Sequence, residues 1–384
     1  MSKVAIVQNR IHKGGRLQVI LAIVEVLNSF GITPDLLTFH SQISESEIRS
    51  HYGKKITCDV REIFVNPRIP YEWNILLFNT LLSLYKREYE LFINSSNSSL
   101  FLPKDIPLIS YIHYPRKDRV LSGMKSINFP DGKMKSWFDI EDLSRILVRP
   151  FYYLERLNRP QETLIANSRF TRRKTLQHYP LSRQEVRVIY PPVRLAQGTS
   201  VSASGKEEKS VVTLGRFSAV KRQLEQIQVA SELEDFTFYL VGFVKPGSGY
   251  YQRCQALINE DNIGNVHLVP NAAYDEMAAI LRKARFFLHS NRNEPFGITT
   301  VQAIAHGCIP VVHDSGGQKE IVPNPELRYS DVEEAVEIFK RLSQQDNREL
   351  QELLNPLEQN SAQYSEEQFR DNMREVLTAQ IRRL

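Results

Sequence analysis

The sequence of 384 residues is longer than one hydrophobic core usually supports, so we expect two domains of comparable size. Hydrophobic residues at 42% and charged residues at 24% are typical of a globular protein, and no run approaches the roughly 20 apolar residues that span a bilayer. The net charge of +5 is small for this length and does not indicate nucleic-acid binding.

The first residues and the cysteines both bear on the compartment. The sequence opens directly on an apolar strand pattern, without the features of a signal peptide. Its three cysteines, Cys58, Cys254 and Cys308, are far apart and have no metal-ligand spacing. We therefore expect a cytoplasmic protein in a reducing compartment, with no structural zinc.

Short apolar runs alternate with amphipathic segments of helical length, which is typical of parallel sheets covered by helices. In the first half, residues 4–8 predict a strand, Lys13-Gly14-Gly15 a turn, and residues 17–30 a helix that ends at Gly31. Further strands are predicted at residues 36–39, 91–94, 108–113 and 163–167, and a loop at residues 121–139.

Residues 114–173 combine many Lys and Arg residues with aromatic ones, including Trp137, Phe138, Phe151, Tyr152 and Tyr153. This mixture suits an anionic membrane surface or a phosphorylated acceptor. A solvated basic face over a core helix explains it equally well, and both interpretations stay open.

The domain boundary is predicted after Pro191-Pro192, where a strand at residues 186–190 gives way to the polar, Ser-rich residues 194–210. A second series of strands follows, at residues 211–214, 236–241, 266–269, 286–289 and 309–312. The sequence thus predicts an N-terminal domain of residues 1–192, a second doubly wound domain of residues 193–362, and a terminal helical segment, residues 363–384.

Residues 290–312 form the most informative segment. A strand ends, a tight Glu-Pro-Phe-Gly loop follows at residues 294–297, and residues 299–306 have helical spacing with Gly307 as C-cap. An ordinary strand-loop-helix unit would have the same outline. The loop delivers the N-terminus of a helix to the carboxyl edge of the predicted sheet, which is where α/β domains bind ligands.

The start of this helix is a candidate anion site. The backbone amides of Gly297, Ile298 and Thr299, together with the helix dipole, would bind a diphosphate. Glu294 precedes them and could accept hydrogen bonds from sugar hydroxyls. Gln302, about two helical turns further on, would reach the same ligand.

A second candidate site follows the first strand of the C-terminal domain, in the run Gly215-Arg216-Phe217 with Lys221. A glycine lets the backbone approach a ligand, and the cations of Arg216 and Lys221 could converge on a diphosphate. Alone, this run could also be a solvated basic turn.

The N-terminal half offers weaker candidates. Gly15 precedes the first predicted helix and His113 ends a predicted strand, so either could face a ligand or have only a structural role. Asn167 and Ser168 follow another strand, where they would cap the next helix.

The Glu-Pro-Phe-Gly run and the residue eight positions after Glu294 resemble the signature of the retaining glycosyltransferase family 4. By this resemblance Glu294 would contact hydroxyls of the donor sugar, Phe296 and Gly297 belong to the donor site, and Gln302 would take the ribose position. The sequence departs from the family there, because Gln302 replaces a second glutamate.

The Gly-Arg-Phe … Lys run resembles the same family's motif, so Gly215 would lie at the donor and Arg216 and Lys221 would hold its diphosphate. Gly15 falls where family members have a Gly-rich loop. The Tyr-Ile-His-Tyr-Pro run around His113 and the segment that begins at Phe151 resemble the branch that mannosylates lipid-linked oligosaccharides. In related enzymes a histidine in this region contacts the donor sugar, so by this resemblance His113 would do so here.

The resemblance implies a GT-B architecture of two facing Rossmann-like domains, with residues 363–384 returning to the N-terminal domain and the chemistry in the cleft between domains. It implies retaining transfer of a hexosyl group from a nucleoside diphosphate sugar to a hydroxyl, by front-face attack, with no cofactor and no metal. A UDP-hexose such as UDP-glucose is favoured on family frequency, and GDP-mannose is second. The implied acceptor is a saccharide or lipid-linked saccharide of a cell-envelope or other polysaccharide, reached by peripheral binding at the inner membrane face.

Two alternatives stay open. A phosphorylase or sucrose-type synthase would have the same donor site with another acceptor. A non-catalytic module that binds nucleotide sugars would account for Gln302 in place of the second glutamate.

Overall fold

The strands of the two larger sheets run parallel to their neighbours in the computed structural model, which describes residues 3–11, 14–41, 57–63, 71–85, 87–96, 100, 102–103, 105–115, 162–178, 185–195 and 205–382. The chain divides into two units, one of Met1–Pro192 with Glu367–Leu384 and the other of Val193–Glu366. The predictions made on Lys13, on residues 121–139 and on the aromatic residues between 137 and 153 fall outside the described residues.

The first unit contains a seven-stranded sheet and a separate pair of two-residue strands. Its strands are β1 (Val4–Val7), β2 (Arg10–Ile11), β3 (Asp35–Thr38), β4 (His40–Ser41), β5 (Asp59–Glu62), β6 (Leu91–Asn94), β7 (Leu108–Ile112), β8 (Glu162–Ala166) and β9 (Val186–Val188). The strand order is β5-β3-β1-β6-β7-β8-β9, so the direction of winding reverses between β1 and β6. Its helices are α1 (Gly15–Ser29), α2 (Tyr71–Leu82), which a 3-10 turn at Ser83–Tyr85 continues, and α3 (Arg169–His178).

The second unit contains a six-stranded sheet in the order β12-β11-β10-β13-β14-β15, which reverses between β10 and β13. Its strands are β10 (Glu207–Leu214), β11 (Thr237–Gly242), β12 (Val266–Pro270), β13 (Ala284–His289), β14 (Ile309–His313) and β15 (Arg328–Tyr329). Its helices are α4 (Gln223–Ser231), α5 (Gly249–Glu260), α6 (Tyr274–Lys283), α7 (Ile298–Ala305), α8 (Gln318–Ile321), α9 (Val332–Ser343) and α10 (Asn347–Ser361). Short 3-10 turns lie at Ala219–Lys221, Pro325–Leu327 and Ala362–Tyr364. The two parallel sheets confirm the predicted doubly wound fold class.

The last helix, α11 (Glu366–Ile381), packs on the first unit. Phe369 contacts the ring of Tyr111 edge to face at 6.0 Å between centroids, and Arg370 bonds Glu25 of α1 at 3.1 Å. Helix α1 therefore lies among apolar neighbours from both β1 and α11, which explains why its apolar residues surround the helix instead of forming one stripe.

Two strands differ from the sequence-based predictions. Strand β5 was not predicted, because all four of its residues are exposed at an edge of the sheet and show no apolar alternation. Strand β10 begins at Glu207, inside the predicted linker of residues 194–210, because its first three residues are polar and exposed while the next five are buried. Within the described ranges, no helix has the length and apolar character needed to cross a membrane.

Candidate functional site

The loops that follow β10 and β13 leave the second sheet at its carboxyl edge, where the winding reverses. Neighbouring strands whose connections run in opposite directions leave a crevice between their loops, and doubly wound sheets bind ligands there. The first loop carries Gly215, Arg216 and Lys221, and the second carries Glu294 and Gly297. The fold therefore brings together the two motifs that the sequence singled out in this unit.

The β10 loop runs close to the neighbouring backbone. A Cβ atom at Gly242 would lie 1.8 Å from the carbonyl oxygen of Gly215, so only glycine fits at the end of β11. A Cβ atom at Gly215 would meet the Cγ atom of Lys221 at 3.5 Å, which shows that the Lys221 side chain lies along this turn. Lys221 is the last residue of the 3-10 turn, and its amide donates to the carbonyl of Ser218 at 2.9 Å.

Lys221 and Glu294 form an ion pair across the crevice. The Nζ atom of Lys221 lies 2.6 Å from Oε2 of Glu294, and the two side chains are 28% and 17% exposed. Asn291 donates a hydrogen bond to the same oxygen, and Nε2 of His289 lies 3.8 Å from it. The carboxylate that the sequence assigned to the sugar and the ammonium that it assigned to the diphosphate are thus bonded to each other.

The electrostatics of this pair keep Glu294 ionised. Burial by itself would raise the pKa of the Glu294 carboxyl, but the charge of Lys221 and the hydrogen bonds from Lys221 and Asn291 lower it to about 2. Burial and the nearby Lys221 lower the pKa of His289 to about 3, so this histidine is neutral at neutral pH.

The turn after β14 holds the Glu294 loop in place. The amide of Gly317 donates to the carbonyl of Glu294 at 2.7 Å, and the amide of Asn293 donates to Oγ of Ser315 at 2.8 Å. Gly316 has a φ of 76°, and a Cβ atom there would lie 2.4 Å from the Glu294 carbonyl oxygen. Sequence reasoning missed this turn, although two adjacent glycines shortly after a buried strand signal a close backbone approach.

The loop ends at the N-terminus of α7. Gly297, with a φ of 122°, is the N-cap, and no side chain caps the helix. The amides of Ile298 and Thr299 have no acceptor within the helix because they belong to its first turn. Phe296 is 2% exposed and its ring packs edge to face on Tyr364, so this predicted donor-site residue contributes a buried anchor.

Arg216 and Gln302 have side chains that make no hydrogen bond or ion pair with any part of the chain that the structure describes. Arg216 is exposed, and its carbonyl accepts a hydrogen bond from Gln223 at 3.1 Å, which fixes the backbone of the loop. Gln302 is half-buried on α7, and its carbonyl accepts from the amide of His306 at 3.2 Å.

The remaining candidates lie in the first unit. Gly15 begins α1, and His113 directly follows β7, where it is 8% exposed with its Nε2 atom 3.0 Å from Oγ of Ser95. Burial, and then the charge of Arg16, lower the pKa of His113 well below its ordinary value, so its imidazole is neutral. Ser168 accepts a hydrogen bond from the amide of Thr171 at 2.9 Å and thus caps α3.

Among the residues with described positions, no group of three or more His, Cys, Asp or Glu side chains could hold a metal ion.

Two glycosyltransferase family models match successive parts of the chain. Residues 14–197 match Glycosyltransferase Family 4, and residues 199–361 match Glycosyl transferases group 1. Together they account for residues 14–361 apart from residue 198.

Similar curated proteins include the GDP-Man:Man(3)GlcNAc(2)-PP-Dol alpha-1,2-mannosyltransferases of Yarrowia lipolytica and Mus musculus. The first is 23% identical over 56% of this chain and 36% of the relative, and the second is 24% identical over 55% of this chain and 46% of the relative. The protein of the same name from Neurospora crassa is 31% identical over 35% of this chain and 27% of its own length. The chain therefore spans less than half the length of these relatives.

Similar solved structures cover nearly the whole chain. Sucrose-phosphate synthase from Thermosynechococcus elongatus has a TM-score of 0.72 at 15% identity over 100% of both chains. A glycosyltransferase from Rickettsia africae has a TM-score of 0.69 at 13% identity over 99% of both chains. HepE from Anabaena, in complex with UDP and glucose, has a TM-score of 0.67 at 15% identity over 98% of this chain and all of its own. At these identities the likeness shows the GT-B fold.

Proposed function

The chain belongs to the family 4 glycosyltransferases, and on that premise we propose that it transfers a mannosyl or other hexosyl group from a nucleoside diphosphate sugar to a hydroxyl, with retention at the anomeric carbon. The observation that carries the proposal is the meeting of Lys221, Glu294 and the N-terminus of α7 at the winding reversal of the second sheet. Cations and a helix start suit a diphosphate, and a carboxylate suits sugar hydroxyls.

Each residue has a distinct role in this proposal. Arg216 and Lys221 hold the diphosphate, Gly297 and the first amides of α7 bind its oxygens, and Glu294 accepts hydrogen bonds from the sugar. The bond between the anomeric carbon and the phosphate oxygen breaks as the acceptor oxygen bonds to the same face of that carbon. The acceptor proton passes to the leaving phosphate, and the two cations stabilise the charge that develops there.

GDP-mannose is the first donor to test. The curated relatives above carry GDP-mannose in their names, which supports this choice over the UDP-hexose that family frequency favours. UDP-glucose is the second donor, since a structure of similar fold holds UDP and glucose. The relatives' names also support a lipid-linked saccharide as the acceptor class.

A transfer assay tests the proposal. GDP-mannose and UDP-glucose would each be incubated with the protein and a lipid-linked saccharide, with Glu294→Ala and Glu326→Ala as site and control variants. Glu326 is an exposed residue of the same unit, paired with Arg341, so its variant should behave as the wild type. Absence of transfer and of donor hydrolysis with either donor, in a folded protein that binds nucleotides tightly, would favour a non-catalytic module. Transfer to phosphate or to a soluble sugar would favour a phosphorylase or a sucrose-type synthase.

We also propose peripheral contact with an anionic membrane. Helix α3, at the end of the basic stretch, exposes Arg169, Arg172 and Arg173 on one short segment, and its Leu176 is 40% exposed. Clustered cations next to an apolar side chain suit anionic lipid headgroups. Sedimentation with vesicles of phosphatidylserine and phosphatidylcholine, compared with phosphatidylcholine alone, tests this contact. Equal sedimentation with both vesicles would count against it.

A further inference from the structure

A second ion pair lies beside the pair of Lys221 and Glu294. The Nε atom of Arg222 donates to Oε2 of Glu225 at 2.8 Å, and its Nη2 atom contacts the same oxygen. The Glu225 side chain is only 9% exposed, and Arg292 approaches the same carboxylate to 3.8 Å. Arg222 directly follows Lys221, the residue proposed to bind the diphosphate. The buried carboxylate of Glu225 therefore bonds the neighbour of that lysine.

Arg222 has an unusual backbone conformation. Its φ of 57° and ψ of 38° place it in the left-handed region, which costs energy for any residue with a Cβ atom. It separates the 3-10 turn that ends at Lys221 from α4, and its amide donates to the carbonyl of Ala219 at 3.3 Å. Such a conformation persists where surrounding contacts hold it, and the ion pair with Glu225 is such a contact.

Arg222 joins the 3-10 turn that carries Lys221 to α4, so a change in its φ and ψ would rotate that turn relative to α4. In the observed conformation Lys221 lies along Gly215 and ends 2.6 Å from Glu294.

We propose that Glu225 is a positioning residue, which fixes Arg222 in its left-handed conformation and thereby directs Lys221 toward Glu294 and the donor diphosphate. The diphosphate part of this inference rests on the proposed function, whereas the direction of Lys221 can be measured without any ligand. Arg292 gives the same carboxylate a link to the Glu294 loop, since it lies two residues before Glu294.

The key variant is Glu225→Gln, which keeps the shape of the side chain and removes its charge. Its partner is the double variant Arg222→Asn with Glu225→Gln, because asparagine adopts the left-handed conformation more readily than most residues. A purely structural role for Glu225 predicts lower stability in both variants and no special effect on Lys221. A positioning role predicts that the asparagine restores the direction of the Lys221 side chain toward Glu294.

Acylation of lysines by acetic anhydride, followed by mass spectrometry, reports the direction of Lys221 in the unliganded protein. Glu225→Gln should raise the acylation rate of Lys221 about threefold as its ion pair with Glu294 is lost. The rate at Lys209, which pairs with Asp235 elsewhere in the same unit, should not change. The double variant should return Lys221 to the wild-type rate.

Calorimetric titration with GDP and with UDP gives the second readout. Whichever nucleotide the wild type binds should bind Glu225→Gln about tenfold more weakly, a loss of about 1.4 kcal/mol, and the double variant should recover most of it. A further outcome is that the wild type binds neither nucleotide while the acylation rate of Lys221 still rises in Glu225→Gln and returns in the double variant. In that case the proposed function would fail and the positioning role would stand.

Two results would overturn the inference: an unchanged acylation rate of Lys221 in Glu225→Gln, or a double variant that stays as reactive as the single one. Should Glu225→Gln not fold, Arg222→Lys serves in its place. It keeps a positive charge beside Glu225 but lacks the planar fork of arginine, so Lys221 should again become more reactive. A wild-type acylation rate in a folded Arg222→Lys protein would also overturn it.

Discussion

Replacing Glu294 by glutamine should tighten the binding of a free nucleoside diphosphate while it abolishes glycosyl transfer. In the structure the ammonium of Lys221 lies 2.6 Å from the Glu294 carboxylate, so a diphosphate that binds Lys221 must compete with that carboxylate. Glutamine keeps the size of the side chain and removes its charge. Lys221 then becomes available to the diphosphate, whereas the sugar loses its charged hydrogen-bond acceptor.

The magnitude follows from how far the ion pair is buried. Exposed pairs contribute up to about 1 kcal/mol, and breaking fully buried pairs costs about 3–5 kcal/mol. With side chains 28% and 17% exposed, this pair lies between the two cases. Since the glutamine oxygen can still accept a weaker hydrogen bond from Lys221, we expect a gain of about 1 kcal/mol, or about fivefold in affinity. A hydrogen bond from the sugar to a charged acceptor contributes about 1.5–3 kcal/mol, so after the same gain of about 1 kcal/mol at the diphosphate the sugar nucleotide should bind about 0.5–2 kcal/mol more weakly.

Isothermal titration of the wild type and Glu294→Gln with GDP, GDP-mannose, UDP and UDP-glucose at pH 7.5 measures both effects. The informative quantity is the ratio of the affinities for nucleotide and sugar nucleotide, because a general disturbance of the site would lower both. Glu326→Gln, at an exposed glutamate of the same unit, is the matched control. Weaker or unchanged binding of the free nucleotide by Glu294→Gln would refute the competition between carboxylate and diphosphate.

Four further outcomes are expected. Arg216→Ala should lower turnover by about 2–4 kcal/mol in the activation barrier without changing the free energy of unfolding, measured by kinetics and urea titration. Lys221→Met should reduce the free energy of unfolding by about 2 kcal/mol at pH 7. Lys221 keeps the pKa of Glu294 at about 2, below the ordinary value of 4.5 for a glutamate. This difference should therefore be full above pH 4.5 and shrink as the pH falls toward 2, which urea titrations at pH 7 and pH 3 would show. Gln302→Glu should tighten donor binding by about 1 kcal/mol, and Gln302→Ala should weaken it by a similar amount with turnover nearly unchanged. Loss of donor binding by Gln302→Glu would disprove the ribose role. Gly316→Ala should lower both stability and turnover, since its Cβ atom would meet the Glu294 backbone at 2.4 Å; normal circular dichroism, melting and turnover would contradict this.

The sequence predicted the two loops of the site because each has a local signature. A strand, a glycine and a cation identify the loop after β10, and a Pro/Gly turn before a helix identifies the loop after β13. Their meeting could also be anticipated, since parallel strands end at the same sheet edge. The ion pair could not be anticipated, because Lys221 and Glu294 are 73 residues apart in the sequence and no local pattern specifies a contact between such distant positions.

Residues that act through tertiary contacts were missed for the same reason. Glu225 looks like an ordinary polar residue near the start of a helix, and only its burial against Arg222 sets it apart. His289 ends an apolar strand, where sequence alone cannot tell that its imidazole approaches Glu294. The polar edge strand β5 was missed because edge strands need no apolar alternation, whereas the buried strands β1 and β13 were found.

The charges around the crevice bear on where the proton of the acceptor hydroxyl goes in the proposed reaction. The loop after β10 and the start of α4 carry Arg216, Lys221, Arg222 and Glu225, and the loop after β13 carries Arg292 and Glu294. These four cations and two carboxylates leave an excess of positive charge that matches the two singly charged phosphates of a sugar nucleotide. When the bond to the sugar breaks, the diphosphate gains a further negative charge, which Arg216 and Lys221 would stabilise. Transfer of the acceptor proton to that phosphate would neutralise the added charge, so the proton and the two cations would act together on the leaving group.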